Sequence, residues 1–272
     1  MSEPNLNFHQ TFKPEAKYIS SILSVSENDE AYDVKEISSL TGIPNGKSSG
    51  KVEPHIFYAS YMGLINYQKI NGKYSLELTP LGKTVKEEDP GLQEDLTILL
   101  CHLMLVRDVY GADVWNAVFK TVLPKYGGHV RKDIILKELE QVFPNKINNK
   151  NFAPFISSYD DIFKTLRLVD IDTESVIEHP LIYNKEFIYL YAYTLFEYWD
   201  IKCLGMEEIT SDQLQLLGFG KAFAWDETQE YEVLENLASK DIIRLNRQLM
   251  PYTILRLLSK NVVLKKLYSE LC

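Results

Sequence analysis

Lysine, serine and asparagine residues crowd one short turn in the N-terminal third of the sequence. Residues 43–50 read Ile-Pro-Asn-Gly-Lys-Ser-Ser-Gly, and Lys51 and His55 follow. Ammonium groups, hydroxyls and free backbone N–H groups at the start of a helix bind phosphate, and asparagine can pair with a base edge. The predicted nucleic-acid contacts are Asn45, Gly46, Lys47, Ser48, Ser49, Lys51 and His55, with Asn45 and His55 nearest the bases.

The charge pattern places a basic patch in the same region. The chain has a net charge of −9, but residues 42–83 contain five lysines and two glutamates and therefore carry +3. Affinity for DNA depends on which lysines face the phosphates, so a local patch is sufficient. Two lysines of this segment, Lys69 and Lys73, flank a predicted hairpin turn and are expected to contact phosphates as well.

Three helices are predicted to position the turn. Residues 14–26 show the apolar spacing of an amphipathic helix. Asp33 and Glu36 predict a capping box at the start of a second helix, and Gly42 is suited to end it. A third helix is predicted over residues 52–62, directly after the basic turn.

A hairpin is predicted to follow the third helix. Asn71 and Gly72 form a strong hairpin signal between strands at residues 64–67 and 74–78. Helix, helix, turn, helix and hairpin is the order of a winged helix-turn-helix, predicted here over residues 15–86, whose third helix enters the major groove. The alternative is a winged helix that binds only protein.

The middle of the chain has a similar outline. Residues 131–142 and 151–166 predict two helices joined by a polar turn, which is compatible with a second helix-turn-helix. Its contacts with DNA would be Lys146, Asn149 and Lys150. Basic and acidic residues are nearly balanced there, so charge alone does not favour DNA.

The last third is predicted to be mainly helical. Residues 186–199 are aromatic on nearly every side, which is typical of a buried helix. Residues 241–247 have strand character, and a basic helix is predicted over residues 252–271. The expected fold class is mainly α with small β-hairpins (α+β), in three domains: a winged helix-turn-helix with an N-terminal arm (1–88), a helical domain (89–175) and a C-terminal helical domain (176–272).

The cysteines and the N-terminus favour a reducing compartment. Cys101, Cys203 and Cys272 are few and widely spaced and form no CxxC pair, which argues against a disulfide framework. The first ten residues lack the apolar run of a signal peptide. We expect a cytoplasmic protein without a membrane partner.

Local motifs for catalysis are absent from the sequence. It contains no H-E-x-x-H, no G-x-S-x-G and no glycine-rich dinucleotide loop. Gly46-Lys47-Ser48 ends like a P-loop, but Gly42 is one residue too close for that motif. Asp160 and Asp161 would diverge on a helix and fit a solvated surface better than a metal site.

The opening Phe8-His9-Gln10-Thr11-Phe12 resembles the F-x-G-H-E-T-F opening of the SspB-like family. Asn7 stands near the position of the family's glycine, and Gln10 replaces its glutamate. The resemblance extends over nearly the whole chain, and its further blocks are the winged helix, residues 78–82, Tyr198-Trp199 and residues 223–226.

The family occurs beside sulfur-activating enzymes in bacterial DNA phosphorothioate-modification and defence operons. The resemblance implies a protein that binds double-stranded DNA and nicks one strand so that sulfur can be installed. His9 is the candidate catalytic residue, and Mg²⁺ or Mn²⁺ would be the cofactor of a nickase. The residues by themselves support only DNA binding.

Two alternatives remain open. One is a winged-helix transcriptional regulator without catalysis, which would bind an operator as a homodimer. The other is a scaffold that recruits modification enzymes of the same operon through the acidic C-terminal two-thirds.

Overall fold

One order of elements, a helix, a strand, two helices and a hairpin, occurs three times along the chain. The computed structural model describes residues 5–27, 30–248 and 250–271. The first unit consists of α1 (Ala16–Val25), β1 (Ala31–Tyr32), α2 (Val34–Thr41), α3 (Val52–Tyr61), β2 (Ile65–Ile70) and β3 (Lys73–Leu78). Two helices, α4 (Pro80–Glu88) and α5 (Asp95–Val106), connect it to the second unit.

The second and third units repeat this order. The second consists of α6 (Asp113–Ala117), a π-helical turn (Val118–Val122), α7 (Leu123–Lys125), β4 (His129–Arg131), α8 (Lys132–Val142), α9 (Asn149–Tyr159), β5 (Val169–Ile171) and β6 (Ser175–Glu178). The third consists of α10 (Ile188–Lys202), β7 (Glu208–Thr210), α11 (Ser211–Leu217), α12 (Glu227–Ser239), β8 (Ile243–Asn246) and β9 (Thr253–Arg256). A last helix, α13 (Lys260–Lys265), follows.

All three sheets have the same topology. Each is antiparallel and three-stranded, with the orders β1-β3-β2, β4-β6-β5 and β7-β9-β8. The last strand of each hairpin therefore lies in the middle, and a short strand before the helix pair completes the sheet. The mixed α+β class with small hairpins is confirmed, although the sequence did not predict these additional strands.

Local capping signals explain where several helices begin and end. Asp33 and Glu36 form the predicted capping box of α2, and Gly42 ends it with a left-handed φ of 70°. In the third unit, Thr210 and Asp226 head capping boxes at α11 and α12.

The predicted basic helix over residues 252–271 is wrong. Thr253–Arg256 form β9, which pairs with both β7 and β8, and helix follows only at α13. Cross-strand hydrogen bonds made by residues distant in sequence override the local pattern here. The helix predicted over residues 151–166 is shorter than expected and ends at Tyr159.

Two apolar helices form the centre of the molecule. Every residue of α5 after Asp95 is buried, and so are the aromatic side chains of α10 from Tyr189 to Trp199. His102 of α5 lies in this centre, where its Nε2 donates to Ala222 O at 3.0 Å and its Nδ1 faces the Tyr159 hydroxyl at 2.8 Å.

Among the described residues, no helix combines the length and hydropathy needed to cross a bilayer.

Candidate nucleic-acid interface

The turn before α3 is exposed and has a defined shape. Asn45, Gly46, Lys47, Ser48 and Ser49 are all exposed. The N–H of Lys51 donates to Pro44 O at 2.8 Å and closes the turn at the helix, while Ile43 is fully buried beneath it. The turn borders a cavity of about 390 Å³ that is shared with Gln10, Phe12 and Glu53.

Lys47 differs from the other predicted lysines of the first unit, because those three are paired with carboxylates. Lys51 pairs with Glu15 at 2.5 Å, Lys69 with Glu53 at 2.7 Å and Lys73 with Glu36 at 3.4 Å. Lys47 makes no ion pair within residues 5–27, 30–248 and 250–271. The basic patch is therefore partly neutralised by carboxylates of the same unit, whereas Lys47 makes no such pair.

Lys51 faces the protein interior more than the solvent. Its side chain is 26% exposed, and its ammonium group lies 5.5 Å from the Phe12 ring centroid and 5.4 Å from that of Tyr18. Lys51 thus holds the arm and α1 against the start of α3, and it is less available to phosphate than Lys47.

Glu53 connects three segments around the turn. Lys69 and Tyr74 of the hairpin donate to its Oε1, and the Gln10 amide donates to its Oε2 at 3.4 Å. Burial alone would raise the pKa of Glu53, but the bonds from Lys69 and Tyr74 outweigh it and hold the pKa below its ordinary value. An ionised carboxylate therefore sits beside the predicted phosphate site.

His55 does not reach the surface, so its predicted contact with a base edge is wrong. The ring is fully buried. Its Nε2 accepts from Glu15 N–H at 3.1 Å, so the proton lies on Nδ1, which donates to Lys51 O at 2.7 Å. Burial lowers the pKa of His55 to about 4, and the neutral ring joins α1 to α3.

His9, like His55, is buried and is hydrogen-bonded at both ring nitrogens. It is fully buried, its Nδ1 accepts from Thr11 N–H at 3.0 Å, and its Nε2 must then donate to Asn151 O at 3.1 Å. Asn151 in turn donates to Leu6 O at 3.1 Å, and burial lowers the pKa of His9 to about 4. These contacts fix the N-terminal arm to α9, and they leave neither ring nitrogen free for a proton transfer with DNA.

The second unit presents a comparable turn before α9. Lys146, Asn149 and Lys150 are exposed there, and Asn148 caps the helix by accepting from Lys150 N–H at 2.8 Å. The corresponding position of the third unit, at the start of α12, carries acids instead: Asp226 caps the helix, and Glu227 and Glu230 lie in its first turn.

The described side chains do not fit a divalent cation. No group of three or more histidine, cysteine, aspartate or glutamate residues converges within the described ranges. Asp161, one of the adjacent acids, forms an ion pair with Lys13. A Mg²⁺ or Mn²⁺ ion has no ready-made set of protein ligands there.

Comparison with known proteins gives a match in structure only. No protein-family model and no curated protein matches the sequence. A crystal structure of SspB with bound magnesium superposes with a TM-score of 0.74 and 15% identity, covering 98% of this chain and 90% of that one. A second SspB crystal structure gives a TM-score of 0.73 at 15% identity, covering 97% and 86%. The chain therefore has the fold of SspB over nearly its whole length.

Proposed function

We propose that this chain binds double-stranded DNA through its first unit, as a component of a bacterial phosphorothioate-modification or defence system. In this proposal the first unit is a winged helix, with α3 in the major groove and the β2–β3 hairpin along the phosphates. The observation that carries it is the exposed turn with the unpaired Lys47 at the N-terminus of the ten-residue helix α3. The system context rests on the SspB fold together with the resemblance of the opening segment.

The ion pairs of the patch are compatible with binding. Lys69 and Lys73 are each about half exposed, and exposed ion pairs contribute only about 0–1 kcal/mol. DNA phosphates can therefore compete for these lysines at small cost. Asn45 remains the residue that reads a base edge, and Ser48 and Ser49 add hydroxyl donors to phosphate.

Strand nicking would require other residues than His9. The buried, neutral His9 ring is engaged at both nitrogens, and Gln10 stands where the family resemblance has a glutamate. We assign binding to the first unit and no catalytic role to His9.

A salt-titrated gel shift on duplex DNA tests the proposal, with Lys47→Glu as the variant and Lys265→Glu as its control. Lys265 is exposed on α13 and is not among the predicted DNA contacts. Lys47→Glu should abolish binding at moderate salt, and Lys265→Glu should leave it within twofold. Equal binding by wild type and Lys47→Glu would reject α3 as the recognition helix. Supercoiled-plasmid relaxation with Mg²⁺ or Mn²⁺ on the same samples separates a nickase from a passive binder.

A further inference from the structure

An acidic cleft lies between the second and third units. Pro124, Gly127, Gly128 and Glu178 line one side, and Ala224, Trp225, Asp226, Glu227 and Glu230 line the other, around a volume of about 500 Å³. The two sides belong to different units, so the cleft exists only in the assembled fold. It is separate from the turn before α3.

Two carboxylates of the cleft are buried without full hydrogen bonding. Glu230 is 7% exposed; its Oε2 accepts from Gly220 N–H at 3.2 Å, while its Oε1 is buried and no donor of the described residues reaches it. The Oε1 atom of Glu178 is buried and unpartnered in the same way. Each such oxygen costs free energy until a donor reaches it.

The remaining groups of the cleft suit an organic cation. Asp226 and Glu227 add two acids, and Lys221 is the facing cation, so the lining carries more negative than positive charge. Trp225 also lines the cleft, and its ring is fixed by stacking on Phe223 at 4.1 Å and by an N–H bond to Leu181 O. Carboxylates beside an indole ring favour a guanidinium or ammonium group with an apolar stem.

We propose that this cleft binds the guanidinium or ammonium group of a basic side chain from a partner protein, held by Glu230 and Glu178. Both Oε1 atoms are buried, so the two side chains would turn toward the cleft for the N–H donors of that group to reach them, and the stem of the group would lie along Trp225. The volume exceeds that of one cationic group and leaves room for the stem and flanking backbone. A divalent metal fits less well, because no group of three ligating side chains converges in the described part of the chain.

The proposed binding is linked to pH. Burial raises the pKa of Glu178 to about 8 and that of Glu230 to about 7. For Glu230, the bond from Gly220 and the charge of Lys221 act against this rise, and the charge of Glu227 adds to it. Tyr159, near Glu178, and Tyr252, near Glu230, stay neutral because burial raises their pKa values. A cation must displace protons from the two acids, so affinity should increase as pH rises.

The test is a fluorescence titration of the full chain with a blocked Gly-Arg-Gly peptide at pH 6 and pH 8.5. Trp225 should report occupancy, and Trp225→Phe should remove most of the signal. We expect at least tenfold tighter binding at the higher pH, since Glu230 alone is about one-tenth ionised one unit below its pKa. Glu230→Gln should weaken binding at pH 8.5 at least tenfold and flatten the pH dependence. Glu232→Gln, on an exposed position of α12, is the matched control and should change nothing.

Three results would overturn the proposal. The first is no binding of the peptide at millimolar concentration, with circular dichroism showing all variants folded. The second is equal binding by wild type and Glu230→Gln. The third is binding of spermidine or Mg²⁺ in a Glu230-dependent manner while the peptide does not bind, which would replace the protein partner by a free polyamine or a metal ion.

Discussion

The ammonium group of Lys69 on the hairpin lies 2.7 Å from the Oε1 atom of Glu53 at the start of α3. This contact joins the two parts of the first unit that would contact DNA. It also holds a negative charge beside the exposed turn at Asn45–Ser49. Because a carboxylate repels phosphate, Glu53 should limit the affinity of the unit for DNA.

Replacing Glu53 by Gln should therefore tighten DNA binding several-fold. The change removes one negative charge and releases Lys69 for a phosphate, so the dependence of log K on log salt should steepen by about 0.9. A gel shift at three salt concentrations measures both effects. Glu77→Gln, on an exposed position of β3, removes the same charge without releasing Lys69 and should keep the wild-type slope. Weaker binding by Glu53→Gln would mean that the contact between Lys69 and Glu53 holds the hairpin in the orientation that DNA binding requires.

His9→Ala should destabilise the protein by detaching the N-terminal arm. The substitution leaves Asn151 O without its donor, which costs about 1–3 kcal/mol, and it removes a buried ring next to Phe8. The free energy of unfolding in urea is the measurement. His129→Ala is the control, because His129 is exposed on β4. An unchanged stability, together with loss of strand nicking, would instead show that His9 acts in catalysis.

Glu178 should make the protein less stable as pH rises from about 6.5 to 8. Its pKa in the folded state, about 8, lies above its ordinary value of 4.5. The stabilisation is complete below pH 4.5 and is lost as pH rises through 8, by up to about 1.4 kcal/mol per pH unit. Urea unfolding at pH 6.5, 7.25 and 8 should show this decline, and Glu178→Gln should reduce it. A decline of the same size in the variant would rule out Glu178 as its source.

The three buried histidines should make the protein less stable as pH falls, which is opposite to the effect of Glu178. Burial lowers the pKa values of His9, His55 and His102 to about 4, below the value of about 6.5 in the unfolded chain. Their stabilisation is complete above pH 6.5 and is lost as pH falls towards 4. The double variant Glu178→Gln/Glu230→Gln lacks the opposing acids, so its unfolding free energy should fall between pH 6.5 and 5. A flat profile there would show that the histidines titrate normally.

Gly82→Ala should destabilise the junction between the first unit and α4. A Cβ atom at Gly82 would lie 1.8 Å from Leu64 O, a backbone atom that cannot move freely. Thr79 also donates to Gly63 O and caps α4 at this point. We expect a loss of roughly 3 kcal/mol in urea unfolding. At Gly91 a Cβ would meet only the flexible Gln93 side chain, so Gly91→Ala should cost far less. Similar losses in both variants would contradict the close contact.

The sequence by itself predicted the elements whose capping, turn and burial patterns lie within a few consecutive residues. Asp33 and Glu36 cap α2 three residues apart, Asn71 and Gly72 turn the hairpin with φ values of 51° and 80°, and the aromatic run of α10 is buried all round. The charge pattern likewise located the exposed turn at Lys47. These features depend on backbone preferences and side-chain periodicity within a few residues, which the sequence displays directly.

Tertiary structure decided how those elements are used. The short strands β1, β4 and β7 form only because a hairpin further along the chain pairs with them, and β9 replaced a predicted helix for the same reason. The burial of His9 and His55 and the pairing of Lys69 with Glu53 depend on contacts across 142, 40 and 16 residues. The cleft of Glu178 and Glu230 unites two units. Such contacts leave no local pattern, because burial and charge pairing arise only when distant segments meet.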